Sequence, residues 1–426
     1  MTLRCALGAI LVLALTSGAA AAPEKTTVLD LGAARFYAQS DDTALLAGLQ
    51  LFVRAGLDRE DARQDGLAAL TAETIVRTPV DGQPLRDLVT AHGGSLSYSL
   101  GPQDVRFYLE GAPDRLGTLA TFVAKAVATP DTSAATVSAA RTAILERIAD
   151  EERNPVSVGL AMLRRSYYDG SAGLPTFGTS GSIANLSGAD VAAFVAAHYR
   201  RGNAIVAAVG RVTGDVTAAA RSLAAALPDG SEAPALTKAH PFPASPRRIV
   251  AQRDIGVSYA VLGFAAPPAG DKDFGAMLIV RSLLSDIFDR VSATTLPAYS
   301  RAVGVVYNYD TKPASFALYI NGALLSPATG LASVDTVLKN LAEKPLTPAI
   351  FNRYRTSAHG EWETESVSLE DRAWSIGNFV ELGTDPDYAQ TALAAVDAAT
   401  PAAVQRVAKQ YLQRFTLALI RPRDAP

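Results

Sequence analysis

The chain of 426 residues has one cysteine and four histidines, and this scarcity excludes several kinds of site. Cys5 lies before an apolar stretch rather than after it, so it is not a lipid-attachment cysteine. With no second cysteine, the sequence supports neither an internal disulfide nor a cysteine-based zinc site. The histidines His92, His198, His240 and His359 are too far apart to form a metal-binding i, i+4 pair. We expect each to have a structural or surface role, with His198 packed on the inward side of its helix.

Long apolar runs and basic stripes are also absent. After the first 22 residues, no apolar run approaches the roughly 18 residues that a bilayer span requires. The formal net charge is −3, and the basic residues are scattered rather than interleaved with aromatics. A nucleic-acid partner is therefore not expected. The sequence also lacks a GxSxG elbow, a Walker loop and a GxGxxG turn after a strand.

The N-terminus has the pattern of an export signal. Arg4 supplies a positive charge, residues 6–15 are apolar, and residues 17–22 are mostly small. This order predicts a signal peptide over residues 1–21. The mature protein is then expected to be soluble in the periplasm or outside the cell.

Two helix-then-strand units repeat along the chain. Ser187 begins one helix and Thr400 begins the other, and both are good helix N-caps. The inward positions of both helices follow the i, i+3, i+4, i+7 spacing of an amphipathic helix. These positions are Val191, Phe194, Val195 and His198 in the first unit, and Val404, Val407, Ala408 and Tyr411 in the second.

A second pair of segments supports two similar domains. Residues 45–55 resemble residues 258–266, since each reads as a strand that leads into a charged turn and a long helix. Between the halves, residues 228–246 contain five prolines, which is typical of a stiff linker. The sequence therefore predicts an N-terminal domain over residues 24–227 and a C-terminal domain over residues 247–426.

Each domain is expected to be α+β, with a mixed, mostly antiparallel sheet and helices on one face. Val105, Phe107 and Leu109 alternate with Arg106 and Tyr108 along one predicted strand. This alternation is typical of a sheet with one buried and one solvated face. We expect the solvated faces of the two domains to enclose a wet chamber.

The helix around residues 66–74 has the spacing of a zinc-peptidase helix without its ligands. In an HxxEH helix, two histidines at i and i+4 point the same way and the adjacent Glu activates the metal-bound water. On that spacing, Ala69 and Glu73 stand at the two His positions and Ala72 at the general base. A methyl group offers zinc no lone pair, and one carboxylate lacks the partners that zinc needs. Without the comparison to an HxxEH helix, the same residues are typical of an ordinary Ala-rich helix.

The order of the surrounding segments resembles a known family. An acidic turn, the HxxEH-like helix, a Gly-Gly turn, an alternating strand, an amphipathic helix and a Ser-capped helix follow one another at residues 58–61, 66–74, 92–94, 105–109, 144–148 and 186–190. This order is similar to the insulinase/pitrilysin family of zinc metallopeptidases, especially its two-domain members related to mitochondrial processing peptidase. The resemblance covers nearly the whole mature chain and implies the LuxS/processing-peptidase-like metallohydrolase fold.

The resemblance also implies positions for the remaining site residues. Arg147 stands where catalytic members carry a further zinc-binding Glu, with Glu146 one residue away. Ser97 stands where the family has an Asn that holds the peptide backbone. A family Arg and Tyr that bind the peptide correspond to Arg301, one residue out of register, and Tyr307. An equally good interpretation of this last pair is that Arg301 is a solvated charge on a loop and Tyr307 is an aromatic residue on an edge strand.

Three functional hypotheses follow. The favoured one is a catalytically deficient subunit that pairs with a zinc-bearing paralogue and helps to form its peptide-binding chamber. It implies no catalytic residue and no metal in this chain, with zinc only in the partner. The second is a self-associating, peptide-binding scaffold with no proteolytic role. The third is a hydrolase that uses an unrecognised site.

Overall fold

The computed structural model describes most of the chain. The described residues are 25–31, 34–61, 63–230, 238–240, 246–295, 303–321 and 327–423. The predicted signal peptide lies outside them, as does much of the predicted linker.

The first half of the chain builds a six-stranded sheet from its described residues. The described strands of this half, six in the sheet and two in a separate ribbon, are β1 (Thr27–Leu31), β2 (Ala34–Ser40), β3 (Ala47–Val53), β4 (Pro79–Val80), β5 (Gln83–Pro84), β6 (Ser95–Leu100), β7 (Val105–Gly111) and β8 (Ala204–Gly210). Its helices are α1 (Leu67–Arg77), α2 (Leu85–Ala91), α3 (Leu116–Ala128), α4 (Ala134–Arg153), α5 (Pro155–Tyr167), α6 (Ser180–Asn185), α7 (Gly188–His198) and α8 (Gly214–Ala226). The sheet order is β1-β2-β8-β3-β7-β6, while β4 and β5 form a separate ribbon.

The second half builds a five-stranded sheet from its described residues. Its strands are β9 (Arg247–Arg253), β10 (Tyr259–Ala266), β11 (Val303–Asn308), β12 (Ala314–Asn321) and β13 (Thr416–Pro422). Its helices are α9 (Phe274–Thr295), α10 (Pro327–Glu343), α11 (Pro348–Thr364), α12 (Leu369–Glu381), α13 (Tyr388–Asp397) and α14 (Pro401–Tyr411). The sheet order is β11-β12-β10-β13-β9.

The two sheets have the same topology. The order β2-β8-β3-β7-β6 in the first sheet corresponds to β9-β13-β10-β12-β11 in the second. In each sheet one pair is parallel, β2 with β8 and β9 with β13, and the other pairs are antiparallel. The prediction of two similar α+β domains with mixed, mostly antiparallel sheets is therefore confirmed.

Local sequence accounts for the repeated helix. The Ser187 hydroxyl accepts a hydrogen bond from the Asp190 N–H, and the Asp190 carboxylate accepts from the Ser187 N–H at 2.8 Å, which forms a capping box. The Thr400 hydroxyl likewise accepts from the Ala403 N–H at 3.1 Å, with Pro401 in the first turn. These caps satisfy N–H groups that a helix start leaves without partners.

Each sheet buries one face against helices of its own half. Leu49 and Leu51 of β3 belong to the first core with α1, α3 and α8, and Leu262 and Phe264 of β10 belong to the second core with α9 and α14. This arrangement confirms the expected layer of helices on one face of each sheet.

The opposite face of each sheet is covered by a helix from the other half. Helix α12 packs on β3 and β8 of the first sheet, and α5 packs on β10 and β13 of the second. Arg106 and Tyr108, which we expected to face a wet chamber, are only 8% and 4% exposed. That expectation is wrong, because α12 comes from a distant part of the sequence and strand alternation carries no information about it.

A glycine allows each of these helices to approach the foreign sheet closely. A Cβ added to Gly377 of α12 would lie 2.1 Å from a ring carbon of Phe52, and one added to Gly159 of α5 would lie 2.3 Å from a methyl of Val261. Both distances are far shorter than van der Waals contact. The two halves therefore meet through reciprocal helix-on-sheet contacts.

Candidate functional site at the degenerate zinc position

A buried carboxylate fixes the start of the helix that carries the HxxEH-like positions. Glu60 accepts hydrogen bonds from the N–H groups of Gly66 and Ala68, at 3.0 and 2.7 Å. Burial raises the pKa of the Glu60 carboxyl to about 8, although the two N–H donors act in the opposite direction. Gly66, with φ of +89°, makes the turn into α1.

Helix α1 then places the three degenerate positions inside the protein. Ala69 and Ala72 have no exposed surface, and Glu73 is 1% exposed. The two methyl groups are part of the first hydrophobic core. At these two positions the structure therefore offers packing rather than a metal ligand or a base.

Cationic and hydroxyl donors surround the Glu73 carboxylate. One oxygen accepts a hydrogen bond from Nε of Arg77 at 2.7 Å, and Nη1 of Arg86 lies 4.0 Å away. The other oxygen accepts from the Tyr98 hydroxyl at 2.7 Å, and Nη2 of Arg147 lies 3.5 Å away. Burial, followed by the charge of Glu73, raises the pKa of Tyr98, so this hydroxyl is a donor at neutral pH.

Arg147, which the resemblance places at the position of a zinc-binding Glu, faces this carboxylate. Its guanidinium lies 4.9 Å from the ring centre of Tyr98 and 5.4 Å from that of Phe177, within the range of cation–π contacts. Its neighbour Glu146 is exposed. The local geometry therefore brings a cation, and not a second carboxylate, to Glu73.

These residues do not fit a zinc ion. Both oxygens of Glu73 already accept hydrogen bonds, and the Arg147 guanidinium would repel a divalent cation beside them. Within the described ranges, no cluster of three or more His, Cys, Asp or Glu could hold a metal. That this chain works without a cofactor stays a prediction.

Sequence reasoning missed three members of this cluster. Arg77 follows Glu73 by four residues, so the i, i+4 rule for helices could have paired them. Arg86 comes from α2 and Tyr98 from β6, and no local spacing connects either residue to Glu73. Only the packing of α1, α2, α4 and β6 brings them together.

Ser97 lies beside Tyr98 on β6, at the edge of the first sheet. Its hydroxyl donates a hydrogen bond to Glu370 of α12 at 3.0 Å, so it contacts the other half of the chain. Its contact with a peptide stays a prediction.

Tyr307 lies in the second core, and its partner in the prediction, Arg301, lies outside the described residues. The Tyr307 side chain is 8% exposed and its hydroxyl donates a hydrogen bond to the Pro267 carbonyl. Burial raises the pKa of this phenol well above its ordinary value. A peptide contact by this hydroxyl would require it to leave Pro267, and the proposed role of the pair is still a prediction.

A cavity of about 340 Å³ separates parts of the two halves. It lies among α5, the β6–β7 turn and the β11–β12 turn, with Arg106, Arg164, Tyr168 and Asp310 in its wall. Burial raises the pKa of Asp310, and nearby Arg106 opposes that shift. Arg106 of the first sheet thus contributes to the wall of a polar cavity between the two halves, where we expected a larger wet chamber.

The described helices carry no membrane span, since none is both long and apolar enough to cross a bilayer.

Comparison with solved structures shows the same fold in other proteins. A protease from Helicobacter pylori is 16% identical, with a TM-score of 0.82 and coverage of 94% of this chain and 100% of that chain. A peptidase M16 inactive domain from Pseudomonas fluorescens is 17% identical, with a TM-score of 0.80 and coverage of 94% and 99%. A chain of Complex III2 from Candida albicans is 17% identical, with a TM-score of 0.74 and coverage of 93% and 95%.

The family comparison agrees with the fold. No curated protein matches the sequence significantly. Residues 185–358 match the sequence model described as the peptidase M16 inactive domain. The matched segment does not include Ala69, Glu73 and Arg147, which the resemblance places at the zinc-ligand positions, or Ala72, which it places at the general base. Residues 185–358 are therefore similar to the peptidase M16 inactive domain, and nearly the whole chain has the fold of the solved M16 structure.

Proposed function

We propose that this protein is the non-catalytic subunit of a two-chain M16 peptidase, in which a zinc-bearing paralogue supplies the reaction centre. The observation that carries this proposal is the cluster at Glu73. The fold keeps the helix of the zinc site, but buried methyl groups and guanidinium groups replace the ligands. In this proposal the chain helps to shape the site and binds the peptide, but it does not activate water.

The edge of the first sheet supports a peptide-binding role. Within the described residues, strand β6 pairs with β7 on one side only, which leaves its other edge free for an added strand. An extended peptide can pair with such an edge through main-chain hydrogen bonds. Tyr98 connects this edge to Glu73, so a peptide on β6 would pass close to the degenerate zinc position.

The way the two halves meet supports a second chain. Among the described residues, α5 and α12 cover the sheet faces that lie towards the other half, and the polar cavity between the halves has a volume of about 340 Å³. A chamber large enough for a peptide would then form against another subunit. The likeness to a chain of Complex III2, a protein assembly, is compatible with such a role.

Purification from the native host under mild conditions tests the proposal. We expect the isolated chain to hydrolyse no peptide, and a complex with a second M16 chain to hydrolyse peptides and to carry its zinc in that second chain. Adding this chain to the isolated partner should increase the hydrolysis rate.

Two outcomes would contradict the proposal. Zinc-dependent cleavage by this chain alone would show that it carries its own reaction centre. Recovery only as a homodimer, with no effect on any paralogue, would support the self-associating scaffold instead.

We also propose that the protein acts after export, in the periplasm or outside the cell. The support is the charged, apolar and small-residue order of residues 1–21. Cell fractionation followed by mass spectrometry of the intact chain should find a form that begins after residue 20 or 21 in the exported fraction. A full-length chain in the cytosolic fraction would contradict this proposal.

A further inference from the structure

The cluster at Glu73 contains more positive charge than it neutralises. Three guanidinium groups, from Arg77 of α1, Arg86 of α2 and Arg147 of α4, lie within 4.0 Å of one carboxylate. Glu73 is 1% exposed, whereas the three arginine side chains are 36%, 38% and 37% exposed. Counting charges, three cations and one anion leave an excess of two positive charges that solvent can reach.

Within the described part of the chain, most N–H donors of these guanidinium groups have no hydrogen-bond partner. Each guanidinium has five N–H donors. Among the described contacts, only Nε of Arg77 hydrogen-bonds Glu73, because Arg86 approaches no closer than 4.0 Å and Arg147 makes an ion pair without a hydrogen bond. In the same described part, no second carboxylate lies within ion-pair distance of these three residues. The cluster can therefore accept a further anion.

The arginine that faces the missing ligand position is also held in place. The Arg147 guanidinium packs near the rings of Tyr98 and Phe177, and such stacking leaves the N–H groups in the guanidinium plane free to donate. Because Tyr98 belongs to edge strand β6, the cluster lies at the edge where we propose that a peptide pairs.

We propose that Arg77, Arg86 and Arg147 bind a carboxylate of the peptide, so that this chain prefers acidic peptides. The carboxylate comes from an Asp or Glu side chain or from the peptide's C-terminus, because both present the same two oxygens. Guanidinium groups match this planar anion with paired hydrogen bonds. The inference rests on the proposed peptide-binding function and adds the class of peptide that is bound.

Fluorescence anisotropy with labelled peptides of about ten residues tests the inference, using the mature full-length chain. One peptide carries Glu residues and a free C-terminus, a second has Gln in place of Glu, and a third has an amidated C-terminus. The Glu-to-Gln change isolates side-chain carboxylates, and amidation isolates the terminal one. We expect one of these changes to weaken binding, and we expect added salt to weaken the acidic peptide more than its neutral counterpart.

Substitution of the arginines identifies the site. Arg86→Gln is the most informative variant, because it leaves the hydrogen bonds of Glu73 to Arg77 and Tyr98 in place. We expect Arg86→Gln and Arg147→Gln each to weaken binding of the acidic peptide by roughly three- to tenfold, with little effect on the neutral peptide. Arg153→Gln is the matched control, since Arg153 also lies on α4 but is 71% exposed and pairs with exposed Asp150.

The outcomes separate this inference from the proposed function. Equal affinity for acidic and neutral peptides, or unchanged affinity in folded Arg86→Gln and Arg147→Gln variants, would show that the arginines serve only as counterions for Glu73. The inference would also be overturned if inorganic phosphate displaced the labelled peptides while all three peptides bound with equal affinity. Failure to bind any peptide, acidic or neutral, would instead count against the peptide-binding function itself.

Discussion

Gly377→Ala tests the contact between the two halves. The added methyl would lie 2.1 and 2.3 Å from two ring carbons of Phe52, about 1.3 Å short of ordinary contact at 3.4 Å. Phe52 has no exposed surface, so the ring cannot swing into solvent. Overpacking of this kind typically costs about 1–3 kcal/mol.

A second glycine on a helix of the same half provides the control. Gly360 lies on α11, where an added Cβ meets nothing within 4 Å. Alanine gains roughly 0.8–1 kcal/mol over glycine inside a helix, so Gly360→Ala should stabilise the protein. Because Gly377→Ala receives the same helical gain, the difference between the two variants measures the clash with Phe52. We expect Gly377→Ala to be less stable than Gly360→Ala by about 1–3 kcal/mol.

Urea unfolding followed by tryptophan fluorescence measures this difference. The two tryptophans of the chain are Trp362 and Trp374, and Trp374 lies on α12, where its ring is 5.8 Å from the Arg106 guanidinium of the first sheet. Its emission therefore reports on the contact that Gly377 permits. If Gly377→Ala unfolded at the same urea concentration as Gly360→Ala, or at a higher one, the reciprocal packing described above would be refuted.

Three further predictions concern buried polar groups. Burial raises the pKa of the Glu60 carboxyl from its ordinary 4.5 to about 8, so the folded protein favours the protonated form. The contribution of this group to the free energy of unfolding is therefore full below about pH 4.5 and is lost as pH rises through about 8. Thermal unfolding of Glu60→Gln should show a weaker pH dependence than that of the wild type. Glu73→Gln removes the counterion of three arginines and should lower the free energy of unfolding, measured with urea, by about 1–2 kcal/mol. If the variant were as stable as the wild type, these ion pairs would not contribute to the stability of the fold. Tyr307→Phe loses the hydrogen bond to Pro267 and should cost about 1 kcal/mol, and loss of peptide affinity without loss of stability would favour the alternative that Tyr307 binds substrate.

Local patterns predicted much of the fold because they act over a few residues. The Ser187 and Thr400 caps and the inward spacing after them correctly located α7 and α14. The alternation over residues 105–109 correctly located β7. The similarity of residues 45–55 and 258–266 appears in the structure as β3 and β10, which occupy the same place in the two sheets.

Contacts between distant segments could not be predicted in this way. The burial of Arg106 and Tyr108 depends on α12, and nothing in the strand itself indicates that helix. At the site, the HxxEH spacing identified Ala69 and Glu73, but it could not show that Arg86 and Tyr98 complete the surroundings of Glu73. The spacing along one helix is enough to locate the positions without a zinc ligand. The side chains that surround Glu73 come from several helices and a strand, so their positions depend on the tertiary fold.

Metal analysis of the purified mature chain tests the central claim most directly. After incubation with zinc and exhaustive buffer exchange, the chain should retain far less than one equivalent, because both oxygens of Glu73 are hydrogen-bonded and Arg147 lies beside them. Retention of about one zinc per chain, lost in the Glu73→Gln variant, would contradict the account.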